Sequence, residues 1–288
     1  MKGDLRALLR GKLTERELDL VFKSYDVIGD IAVIRIQEQL VRQSEEIADA
    51  LLHQKNIKAV WRQSSPIHGD YRLRALQWVA GEKRAITIHK EHGSLFKVDV
   101  EKCYFSPRLA FERMRIAKLI KDNEIIVNMY AGVGCYSITI AKHSKAAKIY
   151  SIDINPVAVR YMRENILLNR IVGRVFPIEG DANEIVEEAL RRIADRTLMP
   201  LPEKAHIYLD HALSSIKPRG GWIHYYDFQH ANKMEDPVEK GKARVAEKLR
   251  EKNIDFDLSL GRIVRQTGPN WYQVALDIQI NGSLDSIQ

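Results

Sequence analysis

The spacing of apolar positions changes character about a third of the way along the chain. Leu5–Leu9 and Leu13–Phe22 carry helical spacing, Asp26 to Ile36 alternates as two short strands around Gly29-Asp30, and residues 40–53 are helical again. Ala59-Val60-Trp61 and Ala85 to His89 read as strands, and Gly93 turns the chain back into a strand from Phe96 to Val100. From about residue 102 buried strands alternate with amphipathic helices. Helix 107–120 precedes strand 124–129, helix 136–143 strand 147–152, and helix 156–168 strand 174–178. Helix 183–193, strand 195–199, helix 205–214, strand 221–226 and helix 236–252 follow, then two strands near 255–265 and 271–280. Strands separated by helices of this length need right-handed crossovers and so form a parallel, doubly wound sheet. The last two are joined only by a short turn through Gly268-Pro269 and must be antiparallel, because a parallel return needs a dozen residues or more. No repeat or Pro-rich linker interrupts the chain, and the change of pattern predicts a small α/β domain over 1–95 and a doubly wound domain over 96–288.

Composition narrows the class without naming a function. The 288 residues are 45% hydrophobic and 29% charged, values of an ordinary globular chain that exclude intrinsic disorder as the main state. Lys plus Arg exceed Asp plus Glu by 45 to 38, a net charge of +7 that suits a polyanionic partner and is spread over both halves. Two cysteines, Cys103 and Cys135, cannot build a disulfide framework and form no C-x-x-C pair, which points to a reducing cytoplasm. No apolar run approaches the ~18–20 residues of a membrane span, and residues 1–10 have no apolar signal core. The expectation is a soluble, intracellular protein. His206, His211, His224 and His230 show no metal-ligand spacing, and no metal is expected. The lysines and arginines between Lys233 and Lys252 alternate with glutamates, the pattern of a solvated helix face.

Three loops after successive strands carry the candidate chemistry. Tyr130-Ala131-Gly132-Val133-Gly134-Cys135-Tyr136 turns a strand into a helix, and Gly132 and Gly134 let a ligand approach the backbone there. The dinucleotide fingerprint would need a third glycine at position 137 and finds Ser137. Asp153 ends the next strand, where a carboxylate can accept both hydroxyls of a ribose. Its alternative role, capping the helix that Pro156 opens, suits Asn155 better. Gly180-Asp181-Ala182 ends the third strand, where Asp181 can accept from an adenine amino group or serve only as a turn former.

A parallel sheet closed by an antiparallel hairpin resembles the Rossmann-like fold of S-adenosylmethionine-dependent methyltransferases. The whole motif set is more specific. It resembles the archaeal and eukaryotic tRNA (guanine-37-N1)-methyltransferase family with its wybutosine-pathway relatives, over nearly the whole chain. The residues that carry the resemblance are Gly69-Asp70-Tyr71-Arg72, Phe96-Lys97-Val98-Asp99-Val100, Tyr104-Phe105-Ser106-Pro107-Arg108-Leu109 leading to Glu112-Arg113, Ala131-Gly132-Val133-Gly134, Asp153-Ile154-Asn155-Pro156, Gly180-Asp181, Leu201-Pro202 and His224-Tyr225-Tyr226. Two departures stand out: Asn128 where many members have Asp, and Pro200-Leu201-Pro202 where the family has Asn-Leu-Pro. Proline at 200 offers a carbonyl but no N–H. The chain also shows no counterpart of the family's extra N-terminal domain, which grips the outer corner of tRNA.

The resemblance implies S-adenosylmethionine as cofactor, held by Arg113, Tyr130, Gly132, Gly134, Asp153, Ile154, Asp181, Ala182, Pro200 and Pro202. It implies the anticodon stem-loop of tRNA as partner, a monomer, a tRNA-recognition role for residues 1–95 and a catalytic role for 96–288. N1 of guanine carries a proton at neutral pH, so a base must remove it. The resemblance makes Glu112 that base, gives Arg72 the charge that develops on O6, and makes Tyr104 a support for the target base. Taken without it, Glu112 is one solvated helix glutamate among Arg113 and Arg115, Arg72 one basic loop residue, and Tyr104 a buried strand tyrosine. The rival functions are aminocarboxypropyl transfer to the wyosine base, methylation of that base at carbon 7, and a catalytically silent tRNA-binding protein. Aminocarboxypropyl enzymes tend to have Glu-x-Asp-Pro where this chain has Asp153-Ile154-Asn155-Pro156 and lack the later Leu-Pro, and intact Glu112, Arg72 and Asp153 disfavour the silent protein.

Overall fold

A computed structural model describes residues 4–66 and 68–282. The chain divides into two compact units, 1–110 and 111–288, and no helix among the described residues is long and apolar enough to cross a membrane.

In the first unit α1 (Leu5–Leu9) and α2 (Glu15–Leu20) lead into β1 (Asp26–Ile28) and β2 (Ile31–Arg35). Then follow α3 (Ser44–Leu52), β3 (Ala59–Gln63), β4 (Leu76–Gly81) and a hairpin of β5 (Ile86–Glu91) and β6 (Ser94–Asp99). Thr14 opens α2 in a capping box with Glu17, each side chain accepting from the other's backbone N–H. β2 and β3 are parallel, which requires a crossover, and α3 supplies it. Leu5, Leu9, Ile34, Ile47, Leu51 and Val60 pack in the core so formed. Gly29 turns the first hairpin at φ +58°, where a Cβ would lie 2.1 Å from Thr87 Oγ1, so the turn admits only glycine. β4 has no counterpart in the apolar pattern, because its residues are half-buried or exposed without alternation.

The unit boundary falls after Ala110 rather than after residue 95, for a local reason. β6 pairs along its length with β5, the Val100 N–H donates to the Ala85 carbonyl at 2.9 Å, and Arg108 reaches Asp26 at 2.7 Å. The segment from Phe96 onward is therefore tied to the first unit.

The second unit is entered through α4 (Ala110–Leu119). It continues with β7 (Ile125–Asn128), α5 (Cys135–His143), β8 (Lys148–Asp153), α6 (Pro156–Leu168), β9 (Val175–Glu179) and α7 (Ala182–Ala189). β10 (Arg196–Met199), α8 (Leu209–Ser215), β11 (Gly221–His230), α9 (Pro237–Glu251), β12 (Phe256–Gly268) and β13 (Trp271–Ile280) complete it. One seven-stranded sheet runs β12-β13-β11-β10-β7-β8-β9. Its five strands from β11 to β9 are parallel, and β13 and β12 are antiparallel. Val127, Ile152, Tyr225, Leu249 and Leu276 belong to its core. Three elements depart from the pattern. α7 stops at Ala189, short of 193, and α8 starts at Leu209 because residues 202–208 form turns. β11 continues past Tyr226 to His230, since β13 pairs with all of it.

From β7 the chain winds outward to β8 and β9, then returns to β10 on the opposite side of β7. The loops after β7 and β10 therefore diverge and open a crevice at the carboxyl edge of the sheet.

Candidate active site

The two glycines of the loop after β7 have different reasons to be glycine. Gly134 caps α5 in the left-handed region (φ +91°), and a Cβ there would meet Ile138 Cδ1 at 2.8 Å and Met162 Cγ at 2.9 Å, so helix packing requires it. Gly132, at φ +57°, turns its N–H onto Asp153 Oδ2 at 2.6 Å. The other carboxylate oxygen of Asp153 accepts from the Asn155 N–H at 2.9 Å. The Asp153 carbonyl accepts from Gly180 N–H at 3.1 Å, joining the third loop to the first two. Burial raises the Asp153 carboxyl pKa, and the two amides oppose it only in part. Each oxygen of this carboxylate has one backbone donor and a further lone pair, so two more donors, such as a pair of vicinal hydroxyls, fit it.

The remaining loop residues divide between site and scaffold. Asn155 caps α6, accepting from Val157 and Ala158, which leaves Asp153 out of the capping role. Asp181 caps α7 through Asn183, so one of its oxygens is already engaged. Ile154 is exposed and Ala182 buried. The Tyr130 ring lies 6.3 Å from Tyr208, and burial, then the neighbouring Tyr208 and Asp181, push its hydroxyl pKa far up, so it stays a neutral phenol. Pro200 is half-buried, and Leu201 and Pro202 are buried. The Leu201 carbonyl accepts from Lys204 and Ala205 and thereby turns the chain away from β10. Asn128 is fully buried and donates to Ser137 Oγ at 3.0 Å, so the residue that departs from the family's usual Asp is held inside the sheet.

On α4 both Glu112 and Arg113 are 2% exposed, and the solvated-helix reading of Glu112 does not hold. Arg115, three residues on, forks onto both Glu112 oxygens, with Nη2 2.7 Å from Oε1 and Nε 3.0 Å from Oε2. The Tyr226 hydroxyl donates to Oε1 at 2.8 Å, and Arg262 stands 3.6 Å from Oε2. The fork also bridges to Asp277, 2.5 Å from Nη1. Asp277 in turn lies 2.5 Å from His224 Nδ1, and His224 Nε2 lies 2.8 Å from Arg196, which pairs with Glu124. A guanidinium can only donate, so His224 Nε2 must be the acceptor and Nδ1 carries the proton given to Asp277. His224 is thus neutral with a fixed tautomer, and burial, the leading cause, lowers its pKa.

Glu112 and Tyr226 are legible in the sequence as motif residues. Arg115 was visible only as a neighbour of Glu112, and Asp277, Arg196 and Glu124 carried no signal, because the Arg115–Asp277 contact spans 162 residues. In the first unit, the Arg72 guanidinium lies 4.3 Å above the Tyr104 ring, a favourable cation–π distance. Arg72 sits at φ +54° in the turn from Gly69, whose carbonyl accepts its N–H at 3.0 Å. Tyr104 lies in irregular chain after β6, half-buried, and not in a strand. The two line one hollow with Asp26, Ile28, Val33 and Phe105.

The sheet order, the strand-end loops and the clasped Asp153 together define a Rossmann-like methyltransferase fold. The chain matches the TRM5/TYW2 methyltransferase domain over residues 87–254 and the TYW2 N-terminal domain over 5–84, and it belongs to the TRM5/TYW2 methyltransferase family. It is 42% identical to the tRNA (guanine(37)-N(1))-methyltransferase Trm5b of Pyrococcus abyssi, over 90% of this chain and 75% of the relative. It superposes on aTrm5 in its complex with tRNALeu with a TM-score of 0.83, at 37% identity, covering 98% of this chain and 79% of the other. It superposes on TYW2 of P. horikoshii in complex with MeSAdo with a TM-score of 0.78, at 29% identity, covering 97% and 98%.

Proposed function

We propose that this chain transfers a methyl group from S-adenosylmethionine to N1 of guanine 37 in tRNA. What carries the reading is the 42% identity to Trm5b across 90% of the chain. The protein acts as a monomer on the anticodon stem-loop, in the cytoplasm. Bound S-adenosylmethionine supplies a methyl group on a positively charged sulfur. Asp153 accepts from its ribose hydroxyls, the vicinal pair that the clasped carboxylate has lone pairs to receive. Arg113, the Gly132 turn and the loops at Asp181-Ala182 and Pro200 to Pro202 complete the cofactor's enclosure.

Glu112 takes the N1 proton. Its Oε1 already has two close donors, Tyr226 and Arg115, whereas Oε2 has one close donor and Arg262 at 3.6 Å, so Oε2 is the oxygen with capacity to accept. Arg72 binds O6 as charge develops there, and Tyr104 supports the guanidinium from below. The reading is tested by methyl transfer from labelled cofactor to a tRNA transcript with guanine at 37 and to the same transcript with adenine there. Incorporation confined to the first supports it, and equal incorporation removes it. Arg72→Lys keeps the charge but loses the planar fork, so transfer slows at saturating tRNA; an unchanged rate would take Arg72 out of the chemistry.

Asp153→Ala weakens S-adenosylmethionine binding by roughly 10–150-fold, the effect of losing hydrogen bonds to a charged group, and also lowers the melting temperature, because the Gly132 and Asn155 N–H groups lose their acceptor. Isothermal calorimetry checks this, and an unchanged affinity would remove Asp153 from the cofactor site. A wybutosine-pathway activity is the second reading. It is favoured by the end-to-end match to TYW2 and by the TYW2-type N-terminal domain over residues 5–84.

A further inference from the structure

β11 outruns its parallel neighbour. Tyr225 pairs with Met199, the last residue of β10, yet β11 continues through His230 with β13 alongside it. At about 3.3 Å per residue, the β11–β13–β12 tongue projects roughly 16 Å beyond the end of β10, on the edge that carries the cofactor loops. Residues directly opposite on antiparallel strands share a face. One face of the tongue therefore bears His224 with Asp277, Tyr226 with Ala275, Phe228 with Gln273, and His230 with Trp271, joined by Arg262 and Arg265 of β12. Side-chain contacts agree: Arg265 Nε donates to Gln273 at 2.7 Å, and the His230 and Trp271 rings meet edge-on, 5.3 Å apart at 64°.

Glu112 belongs to this face, through Tyr226 and Arg262. Arg262 stands beside it, Arg265 lies further out on the same strand, and the tip ends in exposed His230 and in Trp271, 47% exposed. Trp271 keeps about half of its surface in water, and aromatic faces flanked by arginine are what unstacked nucleobases and their phosphates bind. His230 lies four positions beyond Tyr226, about 13 Å along the strand, which places the tip beyond reach of a base at Glu112 and within reach of a neighbour.

We propose that the Trp271–His230 pair is a stacking platform for an anticodon-loop nucleotide adjacent to the target guanine, with Arg262 and Arg265 facing the intervening phosphates. This rests on the reading that the chain acts on guanine 37. The test is fluorescence anisotropy with a labelled anticodon stem-loop carrying guanine at 37, and with versions abasic at 36 or at 38. Trp271→Ala should weaken binding to the intact loop roughly 5–150-fold, the loss associated with one stacked base. Trp271→Phe should restore affinity to within about threefold, because a ring remains. One of the two abasic loops should bind wild-type protein weakly and lose nothing further with Trp271→Ala. Binding of Trp271→Ala within about twofold of wild type, or additive losses with both abasic loops, would overturn the platform alone while leaving guanine-37 methylation standing. A change in the self-association of RNA-free protein on Trp271→Ala, with RNA affinity intact, would assign the surface to protein contact and likewise overturn it. Failure of wild-type protein to bind the intact loop would overturn both.

Discussion

Glu112→Gln lowers single-turnover methyl transfer by roughly 10²–10⁴-fold, the contribution of a general base, with tRNA and cofactor both saturating. The amide keeps the length of the side chain and an oxygen to accept from Tyr226, but it cannot take the N1 proton. Its NH2 group also replaces the oxygen that Arg115 Nε approaches at 3.0 Å, so two donors face each other and the variant carries a stability cost as well. Rates are therefore compared well below both melting temperatures, with cofactor affinity measured in parallel. A near-wild-type rate would remove Glu112 as the base and leave it as an anchor for Arg115 and Tyr226.

Asp277→Asn produces the largest expected stability loss. The carboxylate closes the link between Arg115 and His224, and all three side chains are largely buried. An asparagine oxygen can still accept from His224 Nδ1–H, but its NH2 must then face Arg115 Nη1. Breaking a buried pair costs about 3–5 kcal/mol. Glu112 still balances Arg115, so the lower end applies, a fall in melting temperature of roughly 6–12 °C. Burial pushes the Asp277 carboxyl up, yet hydrogen bonds from His224 and Arg115 and the arginine charge outweigh it and hold the group well below the usual carboxylate range. A depressed carboxyl contributes stability that is fully present above its unfolded value near 4 and is lost as pH falls below that. The gap between wild type and Asp277→Asn is thus widest at neutral pH and narrows below about pH 4. His224 works in a higher window: its folded pKa is depressed by burial, so the stability of the neutral ring is present above about 6.5 and declines, by at most about 1.4 kcal/mol per pH unit, as pH falls below it. Thermal melts across a pH series read both windows. A constant difference between wild type and Asp277→Asn down to pH 3 would contradict the ion pairing.

Local periodicity made the parallel sheet and its closing hairpin legible, because short apolar runs such as those of β7 and β10, buried almost throughout, alternate with amphipathic helices such as α6 and α7. The same local logic separated Asn155, a cap, from Asp153, which faces two amides instead. It does not reach β4, whose half-buried positions do not alternate, nor the ties from Val100 to Ala85 and from Arg108 to Asp26 that join residues beyond 95 to the first unit. Gly134 looked like part of a ligand loop, and its structural demand comes from Ile138 and Met162 beneath it. The charged chain through Arg115, Asp277, His224 and Arg196 joins four separate elements, so no window of sequence contains it. Glu112 has the look of a surface helix residue because its neighbours are arginines, one of which, Arg115, forks onto its carboxylate.

Nucleoside mass spectrometry of the anticodon loop tests the central claim most directly, after incubating the protein with S-adenosylmethionine and unmodified tRNA. The expected product is 1-methylguanosine at position 37, absent with Glu112→Gln over the same time. No modified guanosine on that tRNA, together with an aminocarboxypropyl or methyl adduct on a tRNA carrying the wyosine base, would contradict it and establish the wybutosine-pathway activity in its place.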